Sequence, residues 1–267
     1  MENKIHTELL KALESINELQ GKSYDEIKKK FDKIAEILLT KTKIVKGLQE
    51  YYITDIEFYL YCKGHEDIIT YPRNCEAGMW FFHPSGVDIT FKSSGITFSK
   101  EKETIKAKIP NNEAFFGGIL LRGIELIKDD GEIRKKLDGY PLNVCDELFD
   151  KFNAFALPRD FPVLIEYKEH RFYGKKIDNT NKSFRYHMLK KGEEGKKAVF
   201  LEDNEIENIK ENKSLIEEYS KARAYGILEQ NYVKEIDKKS KDDLANKFCQ
   251  YSMANYRYRI KKENNAW

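Results

Sequence analysis

The chain has 267 residues, 40% of them hydrophobic and 13% aromatic, which is enough apolar material for one large domain with its own packed core. Lysine and arginine total 47 against 45 aspartate and glutamate residues, so the net charge of +2 excludes a general attraction to nucleic acid or to an anionic membrane. Any site for a polyanion must therefore be a local patch.

The sequence predicts a cytoplasmic protein that does not enter a membrane. Its apolar runs are far shorter than the roughly 20 residues of a membrane span. Its first residues, "MENKIHTELL", lack the basic start and apolar centre of a signal peptide. The cysteines are scattered and form no CxxC pair, so we expect free thiols and no metal site; they are Cys62, Cys75, Cys145 and Cys249.

Residues 1–47 have helical spacing and predict a helical N-terminal extension. Apolar residues recur at steps of three and four in two stripes, Ile5, Leu9, Leu13 and Ile16, then Tyr24, Ile27, Phe31, Ile34 and Leu38. Ser23 and Glu26 form a capping-box pattern at the start of the second helix. We expect a helical hairpin.

Residues 48–192 predict a mixed core of strands and helices, because aromatic and β-branched runs alternate with turn signals such as "HPSG", "FKSSG" and "LDGYP". From residue 193 onward charge rises and helical spacing returns, so residues 193–267 predict a helical and basic C-terminal segment packed on the core. No linker rich in proline, glycine or serine separates these three segments.

The stretch "YYITDIEFYLY", residues 51–61, reads as a buried strand with two carboxylates near its middle. Strand alternation predicts one face with Tyr52, Thr54, Ile56, Phe58 and Leu60, and the opposite face with Ile53, Asp55, Glu57, Tyr59 and Tyr61. Carboxylates beside aromatic rings suit a small planar ligand. A half-exposed strand whose acidic residues meet water or lysines gives the same pattern.

A second apolar run, "FFGGILLRGIELI", carries Arg122 inside another predicted buried strand. A buried guanidinium needs an anionic partner, which Asp55, Glu57 or a bound ligand can supply. Two interpretations remain at this point. One is a structural ion pair between strands, and the other is an arginine that helps a carboxylate to hold a water molecule or an anionic group.

Short motifs in a fixed order resemble the alkyladenine (3-methyladenine) DNA glycosylase family. The order is "IEFYL", "YPRN", "GMWFFHPSGVDITF" and "GGILLRGIEL", and the likeness extends from about residue 50 to residue 190. The family patterns E-[AG]-Y-L, R-N, M-[FY]-x-x-x-G and V-L-I-R-A-x-E-P are matched by Glu57, Tyr59, Leu60, Arg73, Asn74, Met79, Leu120, Leu121, Arg122 and Glu125. Each fragment is short, so the signal lies in their order and spacing.

This resemblance implies a base-excision DNA repair enzyme with an α+β fold, a curved, largely antiparallel mixed sheet wrapped by helices. It implies that Glu57 orients and deprotonates the attacking water, that Arg122 positions this water, and that Tyr59 stacks on the flipped base. His65 is the nearest candidate for the family's histidine that contacts the flipped nucleotide. The R-N match places Asn74 among the expected substrate-binding residues and Arg73 among the expected nucleic-acid-binding residues.

The residues fit this chemistry independently of the family. Hydrolysis of an N-glycosidic bond passes through an oxocarbenium-like sugar, and one carboxylate can stabilise that charge and accept a proton from water. A flipped base needs aromatic stacking, which Tyr59 and Tyr61 can provide. We expect no metal and no cofactor.

The chain also departs from the family pattern. The block Y-V-Y-x-x-Y-G, which supplies a further stacking ring and the residue that wedges into the duplex, is replaced by "KSSGITF". His83 and Asp88 enter nearby, either as polar groups for a different base or sugar or as residues that hold a tight turn. The near-zero net charge is unusual for a protein that scans duplex DNA.

The chain ends in alternating aromatic and basic residues. Arg257, Arg259 and Lys261, with Lys262, can bind single-stranded or backbone regions of nucleic acid, while Tyr256 and Tyr258 can stack. The alternative is a solvated helix end whose tyrosines pack on the core.

Three functional hypotheses follow. The first is a glycosylase that acts on a damaged or modified base in DNA, including single-stranded DNA. The second is an N-glycosidase of a free nucleoside or nucleotide, and the third is a non-catalytic protein that binds a modified base or nucleotide. In each of them Glu57 faces a base-binding pocket and Asp55 is a supporting ion-pair partner.

Overall fold

The computed structural model describes residues 4–108, 110–127, 133–149, 160–167, 169, 171–179, 189–190, 199–200, 213–233, 237–251 and 254–261. They form an α+β fold on one large, open sheet, which confirms the predicted fold class. The helices are α1 (Lys4–Glu14), α2 (Tyr24–Thr40), α3 (Pro141–Phe149), α4 (Lys213–Asn231) and α5 (Lys238–Tyr251), with a 3-10 turn at Ser15–Leu19. None of the described helices is long and apolar enough to span a membrane.

The described strands are β1 (Thr42–Lys46), β2 (Gln49–Cys62), β3 (His65–Glu66), β4 (Trp80–His83), β5 (Gly86–Thr90), β6 (Phe98–Glu101), β7 (Thr104–Ala107), β8 (Phe116–Ile127), β9 (Ile133–Leu137), β10 (Val163–Glu166), β11 (Ile177–Asp178), β12 (Leu189–Lys190), β13 (Val199–Phe200) and β14 (Arg257–Ile260). The main sheet has the order β10-β1-β2-β8-β5-β4. In addition, β3 and β14 pair with β2, β9 pairs with β8, and β11 pairs with β14. The long strands β2 and β8 therefore form its centre.

The N-terminal helices form as the sequence predicts. The capping box at the start of α2 is confirmed, since the Glu26 N–H donates to Ser23 Oγ and the Ser23 N–H donates to Glu26 Oε2. Most of the predicted stripe residues are buried in one core with Val144 and Leu148 of α3, namely Leu9, Leu13, Ile16, Ile27, Phe31, Ile34 and Leu38, whereas Tyr24 is 40% exposed. These helices thus cover one side of the sheet, which we call the first face.

The first face holds the main hydrophobic core. Along β2 its members include Tyr51, Ile53, Ile56, Phe58 and Leu60, all fully buried. The opposite side of the sheet, which we call the second face, carries the carboxylates of β2. The second face ends in a smaller core where α4 and α5 pack near the carboxyl end of β2.

The predicted alternation of β2 is wrong in its first half. Ile53 lies in the main core, whereas Tyr52 lies on the second face and packs on the ring of Phe172 with centroids 5.4 Å apart. The cause is irregular pairing between β2 and β8 on either side of Asp55, where Ile53 and Ile56 both point to the first face although they are three residues apart. Because the irregularity lies before Glu57 in the strand, Glu57 lies on the face that the alternation predicts.

The last described residues form a strand, which corrects the prediction of a helical end. Arg257 of β14 lies opposite Glu57 of β2, and Arg259 lies opposite Asp55. The C-terminal segment therefore contributes a strand to the middle of the sheet, beside the predicted site.

Candidate active site on the second face of the sheet

Glu57 and Arg122 form an ion pair on the second face. Glu57 lies directly opposite Leu120 of β8, and Arg122 follows two residues later on the same strand, so it reaches Glu57 diagonally. Arg122 Nη1 donates to Glu57 Oε2 at 2.9 Å, with 3% of the Glu57 side chain and 19% of the Arg122 side chain exposed. Glu57 is thus the anionic partner that a buried Arg122 requires.

The Arg122 guanidinium is not fully satisfied. Its Nε is buried and has no hydrogen-bond partner among the residues that the structure describes. A buried donor without a partner costs about 1–3 kcal/mol, so an oxygen atom of a water or ligand within reach of Nε would be bound favourably. The pair can therefore join two strands and still present a donor to a bound molecule.

Asp55 is paired with Arg257 from the far end of the chain. Arg257 Nε lies 3.0 Å from Asp55 Oδ1, and Arg257 Nη2 donates to Oδ2, which is a two-point contact. Burial lowers the pKa of Arg257, but the hydrogen bonds and the charge of Asp55 raise it above its ordinary value. Asp55 is therefore a structural ion-pair partner next to Glu57, as predicted, and it fixes β14 against β2.

A second charged group consists of Asp88, Arg73 and His83. Asp88 lies opposite Leu120, so Glu57, Leu120 and Asp88 form one row across three strands on the second face. Arg73 Nη2 lies 2.7 Å and His83 Nε2 lies 2.9 Å from the two Asp88 carboxylate oxygens. Burial raises the pKa of Asp88, but the Arg73 charge and the His83 hydrogen bond hold it below its ordinary value.

The hydrogen bonds assign the tautomer of His83. The Ser85 N–H donates to His83 Nδ1 at 3.2 Å, so Nδ1 is unprotonated. Nε2 then carries the proton and donates it to Asp88. His83 and Asp88 thus hold the β4–β5 turn, and Asp88 also places Arg73 in the row of Glu57. Their role as polar groups for a base or sugar stays a prediction.

The double glycine before Arg122 is explained by close strand packing. A Cβ atom on Gly117 would lie 2.2 Å from the Tyr59 carbonyl oxygen. A Cβ atom on Gly118 would lie 3.0 Å from Arg73 Nη1 and 3.0 Å from the Asp88 Cβ atom. Because Gly118 has no side chain, the Arg73 guanidinium can occupy the space above it.

Among the aromatic candidates, Tyr59 lies beside the Glu57 pair and Tyr61 lies further away. Tyr59 is paired with Gly118 and is 9% exposed on the same face as Glu57. Tyr61 stacks on Phe116 with ring centroids 4.8 Å apart, inside the smaller core. Tyr59 is therefore the ring that can accompany Glu57.

His65 and Asn74 are not brought to the Glu57 pair. His65 bonds to the Leu60 carbonyl at 2.9 Å and to the Tyr256 hydroxyl at 2.8 Å, on the side of the main core. Asn74 donates to the Ile96 carbonyl at 2.7 Å and accepts from its N–H at 3.0 Å. Both side chains hold the protein's own loops and strands.

The basic residues of the C-terminal strand are already engaged. Besides the Asp55–Arg257 pair, Arg259 Nε lies 3.7 Å from Asp178 Oδ2. Only the backbone N–H of Lys261 is bonded in this way, to the Lys176 carbonyl, and its side chain is exposed. Tyr256 and Tyr258 are buried in the main core, and Lys262 lies outside the described residues. The tyrosines thus pack on the core as the alternative interpretation holds, although in a strand.

Sequence reasoning missed two parts of this face. It did not pair Arg257 with Asp55, and it gave no role to Glu125, which accepts a hydrogen bond from Lys136 on the neighbouring strand. The alternation in "YRYRI" is a period-two signal that could have identified β14 as a strand. The pairing of Glu125 has no such local signal, because Lys136 lies on a different strand.

Among the described clefts, the one with the most lysines lies on the side of the first face. It has a volume of about 270 Å³ between the 3-10 turn and α2, and is lined by Ser15, Glu18, Leu19, Lys22, Glu26, Lys29, Lys30 and Lys33. Since α2 covers the first face, this local positive patch is remote from Glu57.

The described residues contain no group of three or more histidine, cysteine, aspartate or glutamate side chains arranged to hold a metal ion.

Comparison of the chain with protein-family models, with curated proteins and with solved structures gave no match. The case for a function therefore depends on the sequence motifs and on the geometry around Glu57.

Proposed function

We propose that this protein hydrolyses the N-glycosidic bond of a damaged or modified base in DNA, with Glu57 activating the attacking water after the nucleotide is flipped. The observation that carries this proposal is the contact between Glu57 and Arg122 on the second face, beside Tyr59. It supports the proposal because the three residues come from two separate motifs of the glycosylase-like pattern and meet in space.

In the proposed reaction, the C1′–N bond breaks and its electron pair leaves with the base. The positive charge that develops on the sugar is stabilised by the Glu57 carboxylate. The water oxygen bonds to C1′ as Glu57 accepts one of its protons, and this proton passes through solvent to the departing base. The carboxylate is thereby restored without a cofactor.

Arg122 has a positioning role in this reaction. Its Nη1 donates to one carboxylate oxygen of Glu57 and fixes the orientation of this carboxylate. Its buried Nε has no hydrogen-bond partner among the described residues, which suits contact with a water or sugar oxygen. Tyr59 supplies the ring on which the base stacks, and this interaction helps to offset the few kcal/mol that flipping costs.

A second candidate is hydrolysis of a free nucleoside or nucleotide by the same groups. The observation that favours it is the engagement of Arg257 with Asp55 and of Arg259 with Asp178, which leaves these arginines occupied on the second face. The described lysine cleft lies on the opposite side of the sheet. A small substrate needs no long phosphate-binding surface.

The test is incubation with duplex and single-stranded oligonucleotides and with free nucleosides that carry alkylated, deaminated or bulky modified bases. We expect released base and abasic sites with the wild-type protein and a loss of about 100-fold or more in Glu57→Gln. The matched control is Glu125→Gln, which alters another buried, ion-paired carboxylate of the same face. Release from nucleosides alone would select the second candidate, and no release from any substrate would refute hydrolysis.

A further inference from the structure

Arg73 presents a buried hydrogen-bond donor that none of the described residues uses. Its Nε donates to the Tyr71 carbonyl at 3.0 Å, and its Nη2 contacts Asp88 at 2.7 Å. Its Nη1 is buried and has no hydrogen-bond partner in the described part of the chain, and only 1% of the side chain is exposed. Protein interiors rarely leave such a donor unused, because it loses its hydration on folding.

The guanidinium of Arg73 is held rigidly. Its central carbon lies 3.8 Å from the centroid of the Phe81 ring, and Asp88, itself bonded to His83, fixes the opposite edge. Asp88 also neutralises the charge of Arg73. The remaining donor therefore suits a neutral oxygen acceptor better than a phosphate group, which would need an uncompensated positive charge.

The position of this donor relates it to the proposed base site. Nη1 lies over Gly118, which is paired with Tyr59 on the neighbouring strand. The Cα atoms of directly opposed residues in an antiparallel pair are only about 4.5–5.5 Å apart, so the donor lies over the strand position next to Tyr59. Glu57 lies two residues before Tyr59, on the same face.

We propose that Arg73 is a specificity-determining residue that donates Nη1–H to a carbonyl oxygen on the edge of the bound base. This inference rests on the proposed function in one respect, namely that a base binds beside Glu57 and Tyr59. A carbonyl oxygen accepts this hydrogen bond, whereas an amino group at the same ring position would direct its own hydrogens at the guanidinium. Asp88 and His83 are the residues that hold Arg73 in place.

The test compares single-stranded oligonucleotides that differ in one exocyclic group, guanine against 2,6-diaminopurine and uracil against cytosine. Dissociation constants are measured by fluorescence anisotropy in a Glu57→Gln background, so that no base is released. We expect the carbonyl member of at least one pair to bind about tenfold more tightly. Arg73→Lys should reduce that ratio to about one, because lysine keeps the charge beside Asp88 but cannot present a third nitrogen.

Arg134→Lys is the matched control, since it makes the same chemical change in an exposed side chain of β9, and it should leave the ratio unchanged. Thermal unfolding shows whether Arg73→Lys is folded, and Arg73→Gln is the substitute if it is not. Equal binding within both pairs, or a ratio that persists in the folded Arg73 variant, would overturn the inference and leave Nη1 as a donor to water only.

Failure of the proposed function gives a different result. A carbonyl preference that depends on Arg73, without base release by the wild-type protein, supports this inference and refutes hydrolysis. Base release that depends on Glu57, without an effect of Arg73 on the binding ratio, supports hydrolysis and refutes this inference.

Discussion

The two faces of the central sheet are formed by the same strands but bury different kinds of side chain. The first face of β2 carries side chains such as Phe58, which stacks on Phe31 of α2 with ring centroids 4.4 Å apart. The second face carries buried ion pairs in neighbouring positions, among them those of Asp55 and Glu57. Hydrophobic packing stabilises the fold directly, whereas desolvation of buried ion pairs consumes most of their Coulombic attraction.

The contrast indicates that the first face supplies most of the stability and that the second face is the candidate functional surface. A buried ion pair can often be replaced by apolar residues of similar volume with no loss of stability. The need for stability alone therefore does not explain a face that carries several such pairs. We interpret the second face as a surface arranged for binding and chemistry, and the first face as the core that holds it.

Phe58→Ala on the first face should lower the free energy of unfolding by about 3–5 kcal/mol, because it removes a fully buried ring and leaves a cavity. Urea unfolding followed by circular dichroism measures the change, with Phe58→Leu as the control that keeps a large apolar side chain and should lose less stability. A loss below about 1 kcal/mol would show that the first face is not the stabilising core.

Asp55→Ala should destabilise by about 2–3 kcal/mol, below the full cost of breaking a buried pair because 18% of the Arg257 side chain is exposed. The reason is that Arg257 keeps its charge but loses its partner. The double variant Asp55→Leu with Arg257→Leu should recover most of this loss in the same unfolding measurement. If the double variant is as unstable as Asp55→Ala, the pair is a main source of stability and the contrast between the faces fails.

Asp88→Asn should change how stability depends on pH. Because Arg73 and His83 hold the pKa of the folded Asp88 below its ordinary value despite burial, the carboxylate stabilises the fold above the unfolded pKa of about 3.9. This contribution is lost as the pH falls towards the lower folded pKa. Urea unfolding between about pH 5 and pH 3 should show a steeper fall for the wild-type protein than for Asp88→Asn. Parallel curves would contradict the assigned charge state.

Ser23→Ala should have the smallest effect, a loss of about 1 kcal/mol, because it removes half of a capping box at the solvent-exposed start of α2. Thermal unfolding measures it, and base release should be unchanged because Ser23 is remote from the second face. Ser23→Asn, which retains a capping oxygen, should be nearly as stable as the wild-type protein.

Local patterns predicted the parts of this molecule that depend on local physics. The stripe of α2, its capping box at Ser23 and the strand containing Glu57 follow from residue spacing and side-chain chemistry. The need of Arg122 for an anion also follows from sequence, because the cost of burying a charge does not depend on the fold. These patterns predicted the two strands that carry Glu57 and Arg122, whereas the arrangement of the sheet was implied mainly by the family resemblance.

The remaining features depend on contacts between distant parts of the chain. The position of Ile53 was mispredicted because the irregularity that reverses the alternation requires β8 beside β2. His65 was a candidate by its distance along the chain from Glu57, but its partner Tyr256 is separated from it by 191 residues. No local pattern contains that information.

Replacing the Glu57–Arg122 pair by an apolar pair, Glu57→Leu with Arg122→Met, separates a catalytic role of the pair from a structural one. If the second face is a functional site, this double variant remains folded with a thermal stability close to that of the wild type, while the release of modified bases seen with the wild type is lost. Release of bases at the wild-type rate by the folded double variant would show that the pair only joins two strands and would contradict a catalytic role of Glu57.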